Sequence, residues 1–149
     1  MKTIVHLSTV HSPHDTRIFH KECRSLARAG FRVFLVIPAA ENCVRDGVVI
    51  RALPEAKGGR LGRMVGTVGR ALVEAVRLEG DAYHFHDPEL IPAALLLRLR
   101  GKPVVYDIHE DYVTDIEQKT YLPGWFRKVL APAFGKLEGA AAAVFHPVL

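Results

Sequence analysis

The sequence predicts an α/β fold: a Rossmann-like open parallel sheet of about six strands with helices on both faces. Short apolar runs typical of buried strands alternate with amphipathic stretches of helical length. The clearest unit is residues 81–107, in which a strand, a helix and a second strand fit a right-handed parallel crossover. Histidines and carboxylates follow both strands of this unit. Because parallel strands end at one edge of their sheet, we expect a ligand site at that edge.

The first half of the chain predicts the order β-α-β-β-α. Three apolar runs, the last two stopped by prolines, predict buried strands: Thr3–Thr9, Phe31–Ile37 and Gly47–Leu53. Two segments with apolar residues at helical spacing predict helices: Thr16–Ala29 and Arg60–Glu79. The first of these helices should bury Phe19, Cys23, Leu26 and Ala27. The second should face inward with Leu61, Met64, Val65, Val68, Leu72 and Val76.

The second half predicts three more strands, Ala82–Phe85, Pro103–Asp107 and Ala141–Phe145. Between them lie two predicted helices, Pro88–Arg100 and a Leu122–Glu138 helix kinked or split at Pro132. A strand order of 3-2-1-4-5-6 would place the first strand beside the fourth and create a switch point, where such sheets bind ligands. The chain stops after its last predicted strand, without a covering helix. We therefore expect residues 1–149 to be a single amino-terminal domain of a larger protein.

Composition narrows the class of protein. Apolar residues make up 49% of the chain, which argues against disorder, and no apolar run reaches membrane-spanning length. Cys23 and Cys43 lack metal-motif spacing, and a buried Cys23 thiol would suit a reducing cytoplasm. The net charge of +4 is mild and predicts no nucleic-acid partner. Four arginines should point outward from the second helix, toward anionic lipid or simply toward solvent: Arg60, Arg63, Arg70 and Arg77.

The turn after the first strand, residues 9–17, contains no glycine. A dinucleotide fingerprint needs glycines there so that the backbone can approach a pyrophosphate, and we therefore expect no such site. Ser12 or Asp15 can cap the helix that follows. Arg17, near the start of that helix, either faces an anion such as a phosphate or lies on a solvated basic face with Glu22 nearby.

The first polar cluster follows the fourth strand. His86 lies at the strand end, where its imidazole should point into the crevice, whereas His84 should lie deeper as a core histidine. Asp87 serves equally well as a helix cap or as a chemical group. We expect three residues of the first turn to face His86 and Asp87 across the switch point: His11, His14 and Asp15.

The second polar cluster follows the fifth strand and is dense in ionisable groups: Asp107, His109, Glu110 and Asp111. Such a set can bind sugar hydroxyls, perform acid/base work or hold a metal. A metal site here would use His86, Asp87, Asp107 and His109. This spacing matches no established zinc pattern, so we predict no metal.

Four segments in this order resemble glycosyltransferase family 4, whose members are retaining enzymes with the two-domain GT-B fold: Asp15–Glu22, Ser25–Val33, Tyr83–Pro92 and Val105–Tyr112. The resemblance implies that this is the acceptor-side domain, and that a carboxyl-terminal domain absent from this chain holds the nucleotide-sugar. It places His86 near the transferred sugar and Arg17 near phosphate. Many relatives carry a glycine pair in the first turn, where this chain has Ser12, Pro13 and His14.

The resemblance implies transfer of a sugar from a nucleotide-sugar to a hydroxyl of a glycan or a lipid-linked acceptor. It implies no cofactor beyond the donor substrate. The acceptor cleft would be lined by Asp87, His109, Glu110, Asp111, His11 and Asp15. Two other classes stay open: a metal-dependent hydrolase that uses the His/Asp clusters, and a sugar- or nucleotide-binding module without turnover.

Overall fold

The computed structural model describes residues 1–54, 60–107 and 123–148. Its strands are β1 Thr3–Leu7, β2 Arg32–Pro38, β3 Cys43–Arg45, β4 Val48–Leu53, β5 Ala82–Phe85, β6 Val104–Asp107 and β7 His146–Val148. They form one seven-stranded sheet in the order β3-β4-β2-β1-β5-β6-β7. Within these residues, all strand pairs are parallel except β3 with β4. The α/β class and the predicted order of the six parallel strands are confirmed, with β1 beside β5 at the switch point.

Helices cover both faces of this sheet. A π-helix, Thr16–Cys23, runs directly into α1, Arg24–Arg28. α2 spans Arg60–Arg77, a 3₁₀ turn at Pro88–Leu90 leads into α3 at Ile91–Leu99, and α4 spans Gly124–Val144. Within the described residues, none of the helices has both the length and the apolar character that crossing a bilayer requires.

Two hydrophobic cores lie on opposite sides of the sheet because successive side chains of a strand point to opposite faces. On β2, Val36 packs in the core under α2 and α3. Its neighbours Leu35 and Ile37 pack in the core under the π-helix and α1. The expected Cys23 thiol is free and buried in this second core.

Three details differ from the sequence prediction. The edge strand β3 was missed, although the Asp46–Gly47 pair that joins it to β4 has positive φ at both residues and is a strong hairpin signal. Ala141–Phe145 is not a strand, because its alanines favour the end of α4, and β7 follows it. Val65 is 62% exposed and does not face inward.

The start of the first helix is set by Asp15. Its Oδ1 accepts hydrogen bonds from the backbone N–H groups of Arg17 at 2.9 Å and Ile18 at 2.8 Å, so the predicted capping role is confirmed. The amide of Arg24 then donates to the carbonyl of Phe19, five residues back, as π-helical winding requires. The sequence predicted the helix but not this winding.

Gly80, in the turn between α2 and β5, leaves no room for a side chain. A Cβ atom at this position would lie 2.9 Å from Val5 Cγ2 and 3.2 Å from the Tyr83 ring. Gly69, in α2, has open space where its Cβ would be.

We expect Gly80→Ala to lower the free energy of unfolding by about 1–3 kcal/mol, because the added methyl group overpacks the core. Gly69→Ala should raise it by about 0.5–1 kcal/mol, because alanine favours the helix. Urea unfolding of both variants measures the difference. Equal stability of the two variants would contradict the close packing at Gly80.

Candidate functional site

The sheet face beneath the π-helix changes from apolar to polar at its centre. β2 and β4 present only aliphatic side chains to this face: Val33, Leu35, Ile37, Val48 and Ile50. The next two strands present His6 and His84, which lie side by side in register on β1 and β5. His86, two residues beyond His84, lies beside them. Because burying polar groups is costly, a polar patch inside the domain indicates a site and not ordinary packing.

The π-helix places a carboxylate over these rings, and we name the four residues His6, Glu22, His84 and His86 the histidine cluster. The Nδ1 of His6 and the Nε2 of His86 lie 3.1 Å apart. Glu22 Oε2 lies 3.8 Å from the Nδ1 atoms of His6 and His84 and 3.7 Å from the Nε2 of His86. Three rings from adjacent strands therefore meet one carboxylate oxygen.

A chain of charged contacts connects the cluster to the edge of the sheet. Asp107, the last residue of β6, is buried, and its Oδ2 lies 3.2 Å from the Nδ1 of His86. Its two oxygens also accept hydrogen bonds from the Nε and Nη2 of Arg17. Arg17 donates to Glu22 as well, at 3.3 Å, because π-helical winding puts residues five apart on one side of the helix.

The electrostatics of this chain favour a charged Asp107. Burial opposes ionisation of Asp107, but the hydrogen bonds with His86 and Arg17 outweigh burial and hold its pKa below the usual range. Burial, reinforced by the negative charge of Asp107, raises the pKa of Glu22 to about 7. The pKa values of the two carboxylates therefore lie far apart, although both accept hydrogen bonds from Arg17.

A second network, which we name the loop anchor, comprises Asp87, Thr9, His11 and Glu89. The buried Asp87 carboxylate accepts a 2.6 Å hydrogen bond from the Thr9 backbone N–H and lies 3.0 Å from His11 Nδ1. The Thr9 hydroxyl donates to Glu89 Oε1 at 2.7 Å. Burial opposes ionisation of Asp87, but the contacts from His11 and Thr9 lower its pKa overall. The loop after β1 is thus fixed to the end of β5.

The structure redistributes the residues predicted after the first strand. His11 does meet Asp87, whereas His14 contacts Arg45 on β3 instead. Asp15 uses Oδ1 for capping the π-helix. Arg17 does not lie on a purely solvated basic face. Its guanidinium bridges the carboxylates of Asp107 and Glu22.

The predictions for the two histidines of β5 need correction. His86 is only 1% exposed and so does not project into the crevice, whereas His84 is partly exposed. Asp87 makes no side-chain cap to the following helix, since its carboxylate serves Thr9 and His11. Asp107 does contact His86, but the Asp87 carboxylate is engaged by Thr9 and His11 and does not join them in the set considered for a metal. His109, Glu110 and Asp111 lie outside the described residues.

Sequence reasoning missed His6 and Glu22 as members of the site. His6 occurs within an apolar strand and gives no signal by itself. The strand order could have identified His6. The first and fourth strands were predicted to be adjacent, and this adjacency brings His6 beside His84. Glu22 was noticed only as a neighbour of Arg17, since ordinary α-helical winding does not align residues five apart.

Comparison with known proteins identifies the family. The family profile described as a glycosyl transferase 4-like domain matches residues 16–147. The chain belongs to this family. The expected resemblance is thereby confirmed, and the domain is a glycosyltransferase domain. No curated protein sequence matches the chain significantly.

Solved structures agree at the level of the fold. Fifteen chains match, among them a sucrose-phosphate synthase from Thermosynechococcus elongatus with a TM-score of 0.64 and 12% identity. The match covers 90% of this chain but only 40% of the synthase chain. The glycosyltransferase domain therefore has less than half the length of this structural relative.

We expect Asp87→Ala to lower the free energy of unfolding by about 2–3 kcal/mol, because it removes an acceptor from the buried Thr9 N–H and from His11. Glu41→Ala, at an exposed position, is the control and should change stability by less than about 0.5 kcal/mol. Chemical denaturation followed by circular dichroism measures both. An Asp87→Ala variant as stable as the control would show that the loop anchor contributes little.

Proposed function

We propose that this glycosyltransferase domain is the amino-terminal, acceptor-side half of a retaining enzyme. The enzyme would move a sugar from a nucleotide diphosphate sugar to a hydroxyl of a glycan or a lipid-linked acceptor. The family match over residues 16–147 carries the proposal. The polar networks at the ends of β1, β5 and β6 support it, because open α/β sheets bind ligands at that edge.

In this proposal Arg17 faces the donor phosphates. Its side chain is 41% exposed although Asp107 holds it in a two-point contact, so the guanidinium is oriented and still reaches solvent. A fixed cation at the edge of a cleft stabilises the negative charge that develops on a leaving diphosphate. Because the orientation is set in advance, little reorganisation is needed during the reaction.

His86 then acts as a positioning residue. Its buried ring acts on the cleft indirectly. His86 Nδ1 lies 3.2 Å from the Asp107 carboxylate, and that carboxylate orients Arg17. Loss of the ring would disturb Arg17 and also leave a buried carboxylate poorly compensated. We therefore expect substitutions of His86 to lower stability as well as turnover.

The acceptor would lie on the side of the loop anchor. His11 and Asp87 hold the loop after β1 in place there. The other proposed acceptor-lining residues, His109, Glu110 and Asp111, follow β6 in the sequence. Asp15 can contribute only in addition to its capping role. No cofactor besides the nucleotide-sugar substrate is proposed for the transfer.

Two further aspects of the proposal concern the surroundings of the domain. A carboxyl-terminal domain would supply the donor site, consistent with the 40% coverage of the synthase chain. The four arginines of α2 that the sequence predicts to point outward would contact anionic lipid peripherally on the cytoplasmic side: Arg60, Arg63, Arg70 and Arg77. Arg70 and Arg77 are exposed, although Arg70 also donates to the carbonyl of Pro54.

Arg17→Gln in the full-length enzyme should lower kcat by about a hundredfold, the usual scale for removing one group that stabilises transition-state charge. Arg28→Gln, at an exposed position of α1, is the control and should leave kcat unchanged. Steady-state transfer of radiolabelled sugar, combined with melting curves, separates lost chemistry from lost folding. A folded Arg17→Gln enzyme with normal turnover would remove Arg17 from the site.

The 149-residue chain alone should bind acceptor glycans weakly and transfer no sugar, because catalysis needs donor and acceptor held together. Incubation with nucleotide-sugars and acceptors, with product detected by mass spectrometry, tests this. Transfer at the rate of the full-length enzyme would refute the two-domain proposal. A full-length protein that binds both ligands without turnover would favour the non-catalytic binding module.

A further inference from the structure

The histidine cluster has the spacing of a ligand set around one ion. Its members can each offer one donor atom, and these four atoms all lie within 4.8 Å of one another. The individual separations given above run from 3.1 Å to 3.8 Å. Four donors at about 2.0–2.1 Å from a tetrahedral zinc ion are about 3.3–3.5 Å apart. Four of the six donor pairs are therefore already near the spacing of zinc ligands, and the other two, His84 with His6 and with His86, lie within 4.8 Å.

Hydrogen bonding accounts for the 3.1 Å approach of His6 Nδ1 to His86 Nε2, but not for the position of the Glu22 carboxylate. The distances of 3.7 Å and 3.8 Å from Glu22 Oε2 to the three ring nitrogens exceed hydrogen-bond length. Within the described residues, the buried Glu22 Oε2 and His6 Nε2 have no hydrogen-bond partner. Buried polar atoms are normally satisfied, and a cation among the rings would satisfy the carboxylate oxygen.

Asp107 supplies the support that a metal-binding histidine usually has. Such a histidine coordinates through one ring nitrogen and directs the other to a carboxylate or carbonyl, which fixes the ring. His86 directs Nε2 into the cluster and Nδ1 to Asp107, and Arg17 holds that carboxylate in place. This observation is independent of the spacing of the four donors.

The donor types select the metal. Three imidazole nitrogens and one carboxylate oxygen suit zinc, whereas magnesium and calcium prefer oxygen ligands alone. We propose that this chain binds one Zn²⁺ ion through His6, Glu22, His84 and His86. Four protein ligands leave no open position for water, so the ion is structural and fastens the π-helix to β1 and β5. It belongs to no step of the proposed sugar transfer and does not depend on that function.

The proposal reverses the expectation of no metal, which rested on spacing in the sequence, because these ligands are far apart in the chain. Glu22 follows His6 by sixteen residues, and His84 comes sixty-two residues after Glu22. Sequence motifs for zinc rely on short ligand pairs such as two cysteines or two histidines in one turn. Here the adjacency of β1 and β5, together with the π-helix, brings the donors together.

The test uses the 149-residue chain without a histidine tag. Metal content after gel filtration should be one zinc per chain, and added Zn²⁺ should raise the melting temperature while a chelator lowers it, because the ion binds the folded state. His6→Gln and Glu22→Gln should each weaken zinc binding at least tenfold by competition with a chromogenic chelator. Asp107→Asn should weaken it by about 10–100-fold through loss of ring orientation.

Matched controls are His20→Gln and Glu41→Gln, both at exposed positions outside the cluster, which should bind zinc like the parent chain. Co²⁺ in place of zinc should give the visible absorption of a tetrahedral complex in the parent chain and lose it in Glu22→Gln. Circular dichroism confirms folding of each variant. A parent chain that neither retains zinc nor shifts its melting temperature would overturn the proposal.

Zinc binding that is equal in Glu22→Gln, His6→Gln and the controls would also overturn it, because the ion would then lie elsewhere. Should one ligand variant fail to fold, the other ligand variant, compared with the two controls, still shows whether the ion lies in the histidine cluster. None of these measurements requires sugar transfer, so their failure leaves the proposed transferase function standing, and an inactive enzyme leaves the zinc site standing.

Discussion

The Asp107 carboxylate is the contact on which the rest of the site depends. It lies buried at the end of β6 and is held by Arg17 from the π-helix and by His86 from the end of β5. A buried charge persists only when it is paired and hydrogen-bonded, and Asp107 has both kinds of partner. It therefore joins three separate segments of the chain at one point. Arg17 owes its orientation to this contact.

The polar residues of the site lower the stability of the fold, as is common at functional sites. The imidazoles on β1 and β5 contribute less hydrophobic free energy than the aliphatic side chains of β2 and β4 on the same face of the sheet. The pKa of Glu22, within the histidine cluster, is raised toward neutrality, whereas the pKa of Asp107, which borders the cluster, is lowered. Such opposed shifts within one polar cluster are typical of sites that bind charged ligands. The loop anchor adds rigidity beside it by fixing the turn after β1 through Asp87.

Where a local signal existed, the sequence was informative about the fold. Alternating apolar and amphipathic segments predicted six parallel strands in their correct order. Of the two cap candidates, Ser12 and Asp15, the structure selects Asp15. The end of the chain was less predictable, because Ala141–Phe145 combines good helix formers with apolar character typical of strands. β3 was missed although Asp46 and Gly47 mark its hairpin.

By itself the sequence determined the fold class, the strand order and the edge of the sheet that carries the polar residues. Only the tertiary structure decided which of these residues meet. Alternation along β5 shows that His84 and His86 share a face but not which is buried, because burial depends on what covers that face. The register of β1 against β5 brings in His6, and π-helical winding brings in Glu22. These contacts join residues distant in sequence, and no local pattern encodes them.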